Sequence, residues 1–179
     1  VVDISYGEHL IDLRVRSETG GRNYAVRYHC RQGRQQYTHW LDRWAGRYVQ
    51  LHVHGLGEAF TLHYAGLRVM EYPLERRGGF RSPDSLANRI YDVGVRTLQL
   101  CTHDRYEDCP GREQAMYEND SRNQALCGYY CFGEYRFPRA ALDLLGRGWH
   151  EDGFLEMTAP SNLARTIPAF SMAWILALE

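Results

Sequence analysis

The sequence contains no lysine, so all 21 of its basic residues are arginine. With 22 acidic residues beside them, the formal net charge is only -1. A nearly neutral chain lacks the surplus of positive charge that holds many proteins to nucleic acid, so we expect no nucleic-acid partner. The chain also lacks any apolar run close to the ~20 residues that a membrane-spanning helix needs, so we expect no membrane partner.

Signals for secretion are missing as well. The N-terminus has neither a basic start nor a long apolar segment, and its first residue, Val1, is not methionine. The five cysteines are an odd number, which does not suit a complete disulfide framework, so we expect reduced thiols and a cytoplasmic location. Because the chain stops within an apolar helical pattern at 173–179, we also expect it to be a piece of a longer protein.

The first part of the chain has the residue pattern of antiparallel β structure. Apolar and polar side chains alternate over 23–31 and over 47–54, the period of strands with one buried face. Similar alternation predicts strands over 59–64 and 66–72, and turns that contain glycine separate these segments. The sequence therefore predicts an antiparallel β-sandwich, or part of one, as a first domain over residues 1–76.

A charged segment with two glycines, at 75–79, marks the boundary with a second domain, which we predict over residues 77–179. Apolar residues at helical spacing predict four helices in this domain. The first begins near Ser82, a candidate cap, and its apolar face comprises Leu86, Ile90, Val93, Thr97 and Cys101. The others are predicted over 121–132, over 137–145 and from Pro168 onwards. Long loops between them indicate the opening of a larger helical assembly.

The densest group of polar residues lies between the first two predicted helices. Its six carboxylates are Asp104, Glu107, Asp108, Glu113, Glu118 and Asp120. One interpretation is a solvated surface turn. The other is a site for sugar chemistry, because glycosidic cleavage needs one carboxylic acid to protonate the leaving oxygen and a second group on the opposite face. Crowding would raise at least one carboxyl pKa, as a general acid requires, and Tyr106 and Tyr117 suit stacking on a sugar ring.

A zinc site is a second interpretation of the same region. Zinc needs four nitrogen or sulfur ligands, and the candidates are Cys101, His103, Cys109, Cys127 and Cys131. Cys127 and Cys131 are four residues apart in a predicted helix, where burial of small apolar side chains is the simpler explanation. We therefore predict no metal and no cofactor. Catalysis by Cys109 is disfavoured because no histidine is paired with it.

A carbohydrate-binding β-module without catalytic activity is the main alternative function. Flat aromatic faces suit the C–H surfaces of sugars, and the β region offers Tyr37, Trp40, Trp44 and Tyr48. The core of a β-sandwich needs the same kind of side chain. The outward histidines His52 and His54, with His63, are further candidates for a ligand or a metal, although exposed positions on a half-buried strand explain them equally well.

The segment 108–120 reads Asp-Cys-Pro-Gly-Arg-Glu-Gln-Ala-Met-Tyr-Glu-Asn-Asp. It resembles the signature of the bacterial α-L-rhamnosidases, glycoside hydrolase family 78, which typically has Asp-Cys-Pro-x-Arg-Glu, a short spacer, an aromatic residue and an aspartate. Segments at 72–86 and 152–171 resemble the family too, so the likeness extends over nearly the whole chain. It implies the end of a β-sandwich domain followed by the first helices of an (α/α)6 barrel, left incomplete.

The resemblance implies a role for each matching residue. Glu113 falls where the family places its general acid. The implied substrate-binding residues are Asp108, Arg112, Tyr117 and Asp120. The residues that depart from the usual motif are Gly111, Met116, Glu118 and Asn119, and these departures leave the exact sugar specificity open.

The implied reaction is an inverting hydrolysis that releases terminal α-L-rhamnose from a rhamnose-containing glycoside or oligosaccharide. In the family the catalytic base comes from a later loop of the barrel, and no position of this chain corresponds to it. We therefore predict that the chain alone is nearly inactive. Apolar residues left uncovered on its last helix, Ile175, Leu176 and Leu178, also predict self-association.

Overall fold

The computed structural model describes residues 1–55, 57 and 59–179. They form two compact units, Val1–Arg68 and Val69–Glu179. Among the described residues, every named strand lies in the first unit and every α-helix in the second. The predicted mixed fold, antiparallel β structure followed by helices, is therefore confirmed.

Strands organise the first unit. Its described residues contain β1 (Val2–Gly7), β2 (Leu10–Ile11), β3 (Arg14–Val15), β4 (Glu18–Thr19), β5 (Arg22–Asn23), β6 (Ala25–Tyr28) and β7 (Tyr48–Val53). The strands β6, β1 and β7 form one antiparallel sheet with β1 at its centre, and β2–β3 and β4–β5 are two short hairpins. The strands predicted at 23–31 and 47–54 thus correspond to β6 and β7.

The two faces of the three-stranded sheet differ in character. The register places Asp3 of β1 opposite Arg27 of β6 and His52 of β7. Because alternate residues of a strand point to opposite faces, these polar side chains share one face and Tyr6 lies on the other. There the Tyr6 ring stacks on Trp44, with 4.5 Å between ring centroids. An antiparallel sheet that meets water on one side usually has one face that is more polar than the other.

The strands predicted over 59–64 and 66–72 are absent, so that prediction is wrong. The described residues of 59–72 have no regular secondary structure, and Tyr64 and Leu67 are 81% and 70% exposed. Alternation shows which side chains share a face, but a strand also needs a hydrogen-bonded neighbour. These residues pair with no strand in the described parts of the chain.

The second unit contains the helices α1 (Ser85–Leu100), α2 (Glu118–Cys131), α3 (Arg136–Leu145) and α4 (Pro168–Ala177). Each begins within three residues of its predicted position. The cap of α1 is Asp84 rather than Ser82, because the Asp84 side chain accepts a hydrogen bond from the backbone N–H of Leu86 at 2.8 Å. Pro168 opens α4, where its missing N–H has no helical partner to lose.

The core of the second unit joins the first three helices. Its buried residues include Val95, Leu98, Tyr106, Met116, Ala125, Phe132, Phe137, Ala141 and Leu145. Of the apolar face predicted on α1, Cys101 is buried, whereas Leu86, Ile90 and Val93 are 61%, 64% and 58% exposed. Helical spacing shows that residues share a face, but it does not show that anything covers that face. The described helices form no closed barrel.

None of the helices in the described residues combines the length and the apolar character needed to cross a bilayer.

Candidate active site

The segment between α1 and α2 is an ordered loop that turns back on itself. Two hydrogen bonds join Asp108 and Ala115 within it. The backbone N–H of Asp108 donates to the carbonyl of Ala115 at 2.9 Å, and the N–H of Ala115 donates to Asp108 Oδ1 at 3.0 Å. Gln114 adopts a positive φ of 53°, and its side-chain amide donates to the Pro110 carbonyl at 2.8 Å. The motif therefore surrounds one fixed turn.

Glu113 is a carboxylate of this loop with several contacts to its neighbours. The Tyr117 hydroxyl donates to its Oε2 at 2.5 Å, and Arg112 forms an ion pair with its Oε1. Its backbone N–H donates to the Cys109 sulfur at 3.4 Å. The Glu113 side chain is 22% exposed, so it is oriented by its neighbours and still accessible from outside.

Tyr117 connects this loop to the rest of the second unit. It precedes the first residue of α2, and its backbone forms an isolated bridge with Thr158. Its ring meets Phe170 of α4 edge-on, at 6.2 Å between centroids. The hydrogen bond to Glu113, together with burial, raises the pKa of the Tyr117 hydroxyl to about 12. Tyr117 therefore stays a neutral donor to Glu113 over the whole ordinary pH range.

Asp120 stands in the first turn of α2. Burial raises its pKa first of all, and the negative charges of Asp108 and Glu113 raise it further. Of the residues singled out by the motif, the structure brings Arg112, Glu113 and Tyr117 into direct contact. Asp108 closes the turn between them, and Asp120 follows on α2 within reach of the Asp108 and Glu113 charges.

The six carboxylates of the segment do not form a single group. Asp104 is exposed and pairs with Arg105 at 3.1 Å, which fits the interpretation as a surface turn. Glu107 is 1% exposed, and its Oε2 lies 3.3 Å from His103 Nδ1, so it belongs to the interior. No single interpretation fits the whole cluster, because its carboxylates lie in different surroundings: on the surface, in the interior and in the candidate site.

Glu118 is a buried carboxyl whose importance the sequence analysis missed. It is 1% exposed, and within the described chain neither of its side-chain oxygens has a hydrogen-bond partner. Burial raises its pKa to about 7. Residues three and seven positions apart lie on the same face of a helix. The spacing of Glu118 from Ser121 and Ala125, two other buried residues of α2, was therefore the sequence signal for its burial.

The cysteines show no sign of a shared ligand. The described residues contain no group of three or more histidine, cysteine, aspartate or glutamate side chains arranged to hold a metal ion. Cys101 and Cys131 are buried, but Cys127 is exposed. The expectation that Cys127 and Cys131 are both buried is therefore wrong for Cys127, which faces outward from α2.

Some aromatic residues of the first unit pack as core residues do, and others are exposed. Trp44 stacks on Tyr6, as expected of a packed side chain. Trp40 is 68% exposed and carries the Arg68 guanidinium 4.6 Å above its ring, so the interpretation as a core residue is wrong for Trp40. Tyr37 and Tyr48 are each 38% exposed.

Two concavities stand out in the described residues, and neither is lined by the motif. One is a small void of about 10 Å³ in the core of the second unit, beside Leu98 and Tyr106. The other is a larger groove in the first unit. The motif residues therefore lie on a part of the surface that these concavities do not include.

A family model for the bacterial alpha-L-rhamnosidase 6 hairpin glycosidase domain matches residues 75–178, more than half of the chain. The chain belongs to the bacterial α-L-rhamnosidases. The resemblance predicted from the segment 108–120 is thereby confirmed.

Two solved structures extend the likeness of this chain to its β region. The crystal structure of a GH78 family rhamnosidase of Bacillus sp. GL1 is 32% identical with a TM-score of 0.84, over 98% of this chain and 18% of that chain. A rhamnosidase from Klebsiella oxytoca with rhamnose bound is 18% identical with a TM-score of 0.69, over 99% of this chain and 37% of that chain. The second likeness shows the fold alone. Comparison with curated proteins finds no match.

The chain therefore spans well under half the length of both solved neighbours.

Proposed function

We propose that this rhamnosidase chain is part of an inverting glycoside hydrolase that releases terminal α-L-rhamnose from rhamnosides, with Glu113 as the general acid. The observation that carries the proposal is the orientation of the Glu113 carboxyl by Tyr117 and Arg112 on the turn that Asp108 closes. We also propose that the catalytic helical domain begins at residue 77, close to the start of the family match at residue 75.

In the proposed reaction, Glu113 gives its proton to the glycosidic oxygen while the bond from that oxygen to the anomeric carbon breaks. A water molecule attacks the anomeric carbon from the opposite face and gives a proton to a catalytic base, so the configuration inverts. Acid and base should stand ~6.5–9.5 Å apart, with the water between them. We assign the base to a residue outside this chain, because no position here corresponds to the base of the family.

The ion pair between Arg112 and Glu113 bears directly on this role. A guanidinium stabilises the charged carboxylate, whereas a general acid must carry a proton. The Arg112 side chain is 52% exposed, so it has room to turn towards a sugar hydroxyl. We propose that substrate draws Arg112 away from Oε1 while Tyr117 keeps its hydrogen bond to Oε2. Oε1 is then the oxygen that carries and donates the proton.

The remaining residues of the motif would hold the sugar. Asp108 uses Oδ1 to close the turn, so we assign its Oδ2 to a rhamnose hydroxyl. We assign Asp120, whose pKa is raised, to hydrogen bonds with a second hydroxyl. We assign the Tyr117 ring to contact with the sugar ring, since aromatic faces suit its C–H surface.

The chain alone should retain little activity. A general acid by itself typically contributes ~10²–10⁴-fold to a rate, and we assign the base to a residue outside this chain. Exposed apolar residues on α4, among them Ile175 and Leu176 at 59% and 54%, further support self-association of the isolated chain.

Two experiments on the isolated chain test these proposals. Incubation with an aryl α-L-rhamnoside should give almost no turnover, and turnover at ordinary glycosidase rates would refute the assignment of the base. Rhamnose binding, followed by ligand-observed NMR, should be lost in Asp108→Ala and kept in the double variant Tyr37→Ala/Trp40→Ala. The reverse pattern would favour the alternative function, a carbohydrate-binding β-module, over a site on the helical unit.

A further inference from the structure

The polar face of the three-stranded sheet forms the floor of a groove. Asp3 lies between Arg27 and His52 in one cross-strand row, and Ser5 lies beside Gln50 in the next. Gln50 also fixes one wall, because its Oε1 accepts a hydrogen bond from the backbone N–H of Val15, in β3, at 2.8 Å. The β2–β3 hairpin is therefore held beside the sheet and forms one wall of a concave surface.

The groove is large enough for a small molecule. Its volume is about 530 Å³, within the ~300–1,000 Å³ that is typical of sites for small ligands. Most of its lining is polar, with Ser5, Ser17 and Asn23 among the side chains. No aromatic side chain other than histidine lines it, so it does not suit a ligand that binds by stacking or through a large apolar body.

Positive charge predominates in this groove. Two arginines, Arg14 and Arg27, line it against a single carboxylate, Asp3, and the imidazole rings of His52 and His54 lie beside them. That carboxylate is already engaged, since Arg27 donates to it at 2.7 and 2.8 Å and His54 Nε2 lies 2.7 Å from Oδ2. These contacts hold the pKa of Asp3 well below its usual range. Asp3 therefore stays negatively charged and fixes Arg27 and His54 in place.

Two side chains of the groove that can donate hydrogen bonds, Arg14 and His52, remain available to a ligand. In the described parts of the chain, the side chains of Arg14 and His52 form no hydrogen bond or ion pair. The His52 ring contacts the His54 ring, tilted by 31° with 4.3 Å between centroids. A metal ion does not suit the groove, because the described residues hold no cluster of three ligating side chains. A guanidinium matches the geometry of a carboxylate, and hydroxyl and amide side chains match hydroxyl groups.

We propose that this groove binds a small carboxylate anion that carries several hydroxyl groups. Arg14 and His52 hold the carboxylate, and Ser5, Ser17 and Asn23 hold the hydroxyl groups. The site belongs to the β unit and is independent of the proposed glycosidase chemistry.

Titration of the full chain with gluconate, followed by calorimetry and by the NMR signals of the histidine rings, tests the proposal. Gluconate should bind saturably and shift the His52 and His54 signals. Sorbitol, which lacks the carboxylate, and acetate, which lacks the hydroxyl groups, should each bind more weakly. Arg14→Gln should weaken gluconate binding at least about tenfold, since a hydrogen bond to a charged group is typically worth that much.

Arg34→Gln is the matched control, because Arg34 is an exposed arginine of the same unit outside the groove. It should bind gluconate as the parent chain does. Equal loss in the two arginine variants, equal binding of sorbitol and gluconate, equal binding of acetate and gluconate, or no saturable binding would each overturn the proposal. The backbone amide spectrum of every variant shows whether the sheet is intact, and His52→Gln supplies a second variant if Arg14→Gln does not fold.

Discussion

Replacement of Glu118 by glutamine should change how the stability of the helical unit depends on pH. The Glu118 side chain is almost fully buried and has no hydrogen-bond partner among the described residues. Burial raises its pKa from 4.5 to about 7. Between these values the folded chain therefore binds a proton that the unfolded chain has released.

The sign and size of the effect follow from this difference. A group with a raised folded-state pKa contributes stability that is complete below the unfolded pKa and is lost as the pH rises through the folded pKa. Each pH unit corresponds to about 1.36 kcal/mol, so ionisation of Glu118 should cost about 3 kcal/mol by about pH 8. Glu118→Gln cannot ionise and should escape that cost. Near pH 4.5 ionisation of Glu118 should make little difference between the free energies of unfolding of the variant and the parent.

Urea unfolding followed by far-UV circular dichroism measures this difference, because every described helix lies in the unit that contains Glu118. The stability gained by Glu118→Gln should grow from about pH 4.5 to about pH 8. Glu151→Gln is the control, since Glu151 is exposed, and it should show no such trend. A difference between parent and Glu118→Gln that stays constant with pH would refute the reasoning.

Three further substitutions test other parts of the structure. Tyr117→Phe removes the donor to Glu113 and should lower the free energy of unfolding by about 1 kcal/mol, whereas the exposed Tyr130 should tolerate the same change; equal effects in thermal melts would contradict the contact. Leu145→Ala, at a fully buried position, should cost about 2–5 kcal/mol in urea unfolding, and Leu86→Ala, at an exposed position, should cost much less; equal costs would contradict the packing described. Light scattering should show that the isolated chain exceeds its monomer mass of 20.8 kDa and that Ile175→Ser reduces the association; a monomeric parent chain would argue against it.

The positions of the helices could be predicted from the sequence because apolar spacing and proline are local signals. Strands were harder to predict, since the alternation over 59–72 has no partner strand in the described chain. Pairing depends on residues far away in sequence. For the same reason the apolar spacing of α1 predicted a face but not that Leu86 and Ile90 would be exposed.

The candidate site was predictable in its members but not in its geometry. The motif identified Glu113 and Tyr117, and their spacing of four residues is compatible with contact. The hydrogen bond between them and the ion pair with Arg112 depend on the turn that Asp108 and Ala115 close. Such a turn, with a positive φ at Gln114, has no strong sequence signal when glycine is absent from that position.

The proton donated by Glu113 is the central claim, and leaving-group dependence tests it most directly. In the longer protein, Glu113→Gln should slow hydrolysis of an aryl α-L-rhamnoside with a weakly acidic phenol by ~10²–10⁴-fold. A rhamnoside with a strongly acidic phenol needs little protonation, so its hydrolysis should slow far less, and Glu151→Gln should affect neither. Equal slowing of both substrates by Glu113→Gln, or no slowing at all, would contradict the assignment of Glu113 as the general acid.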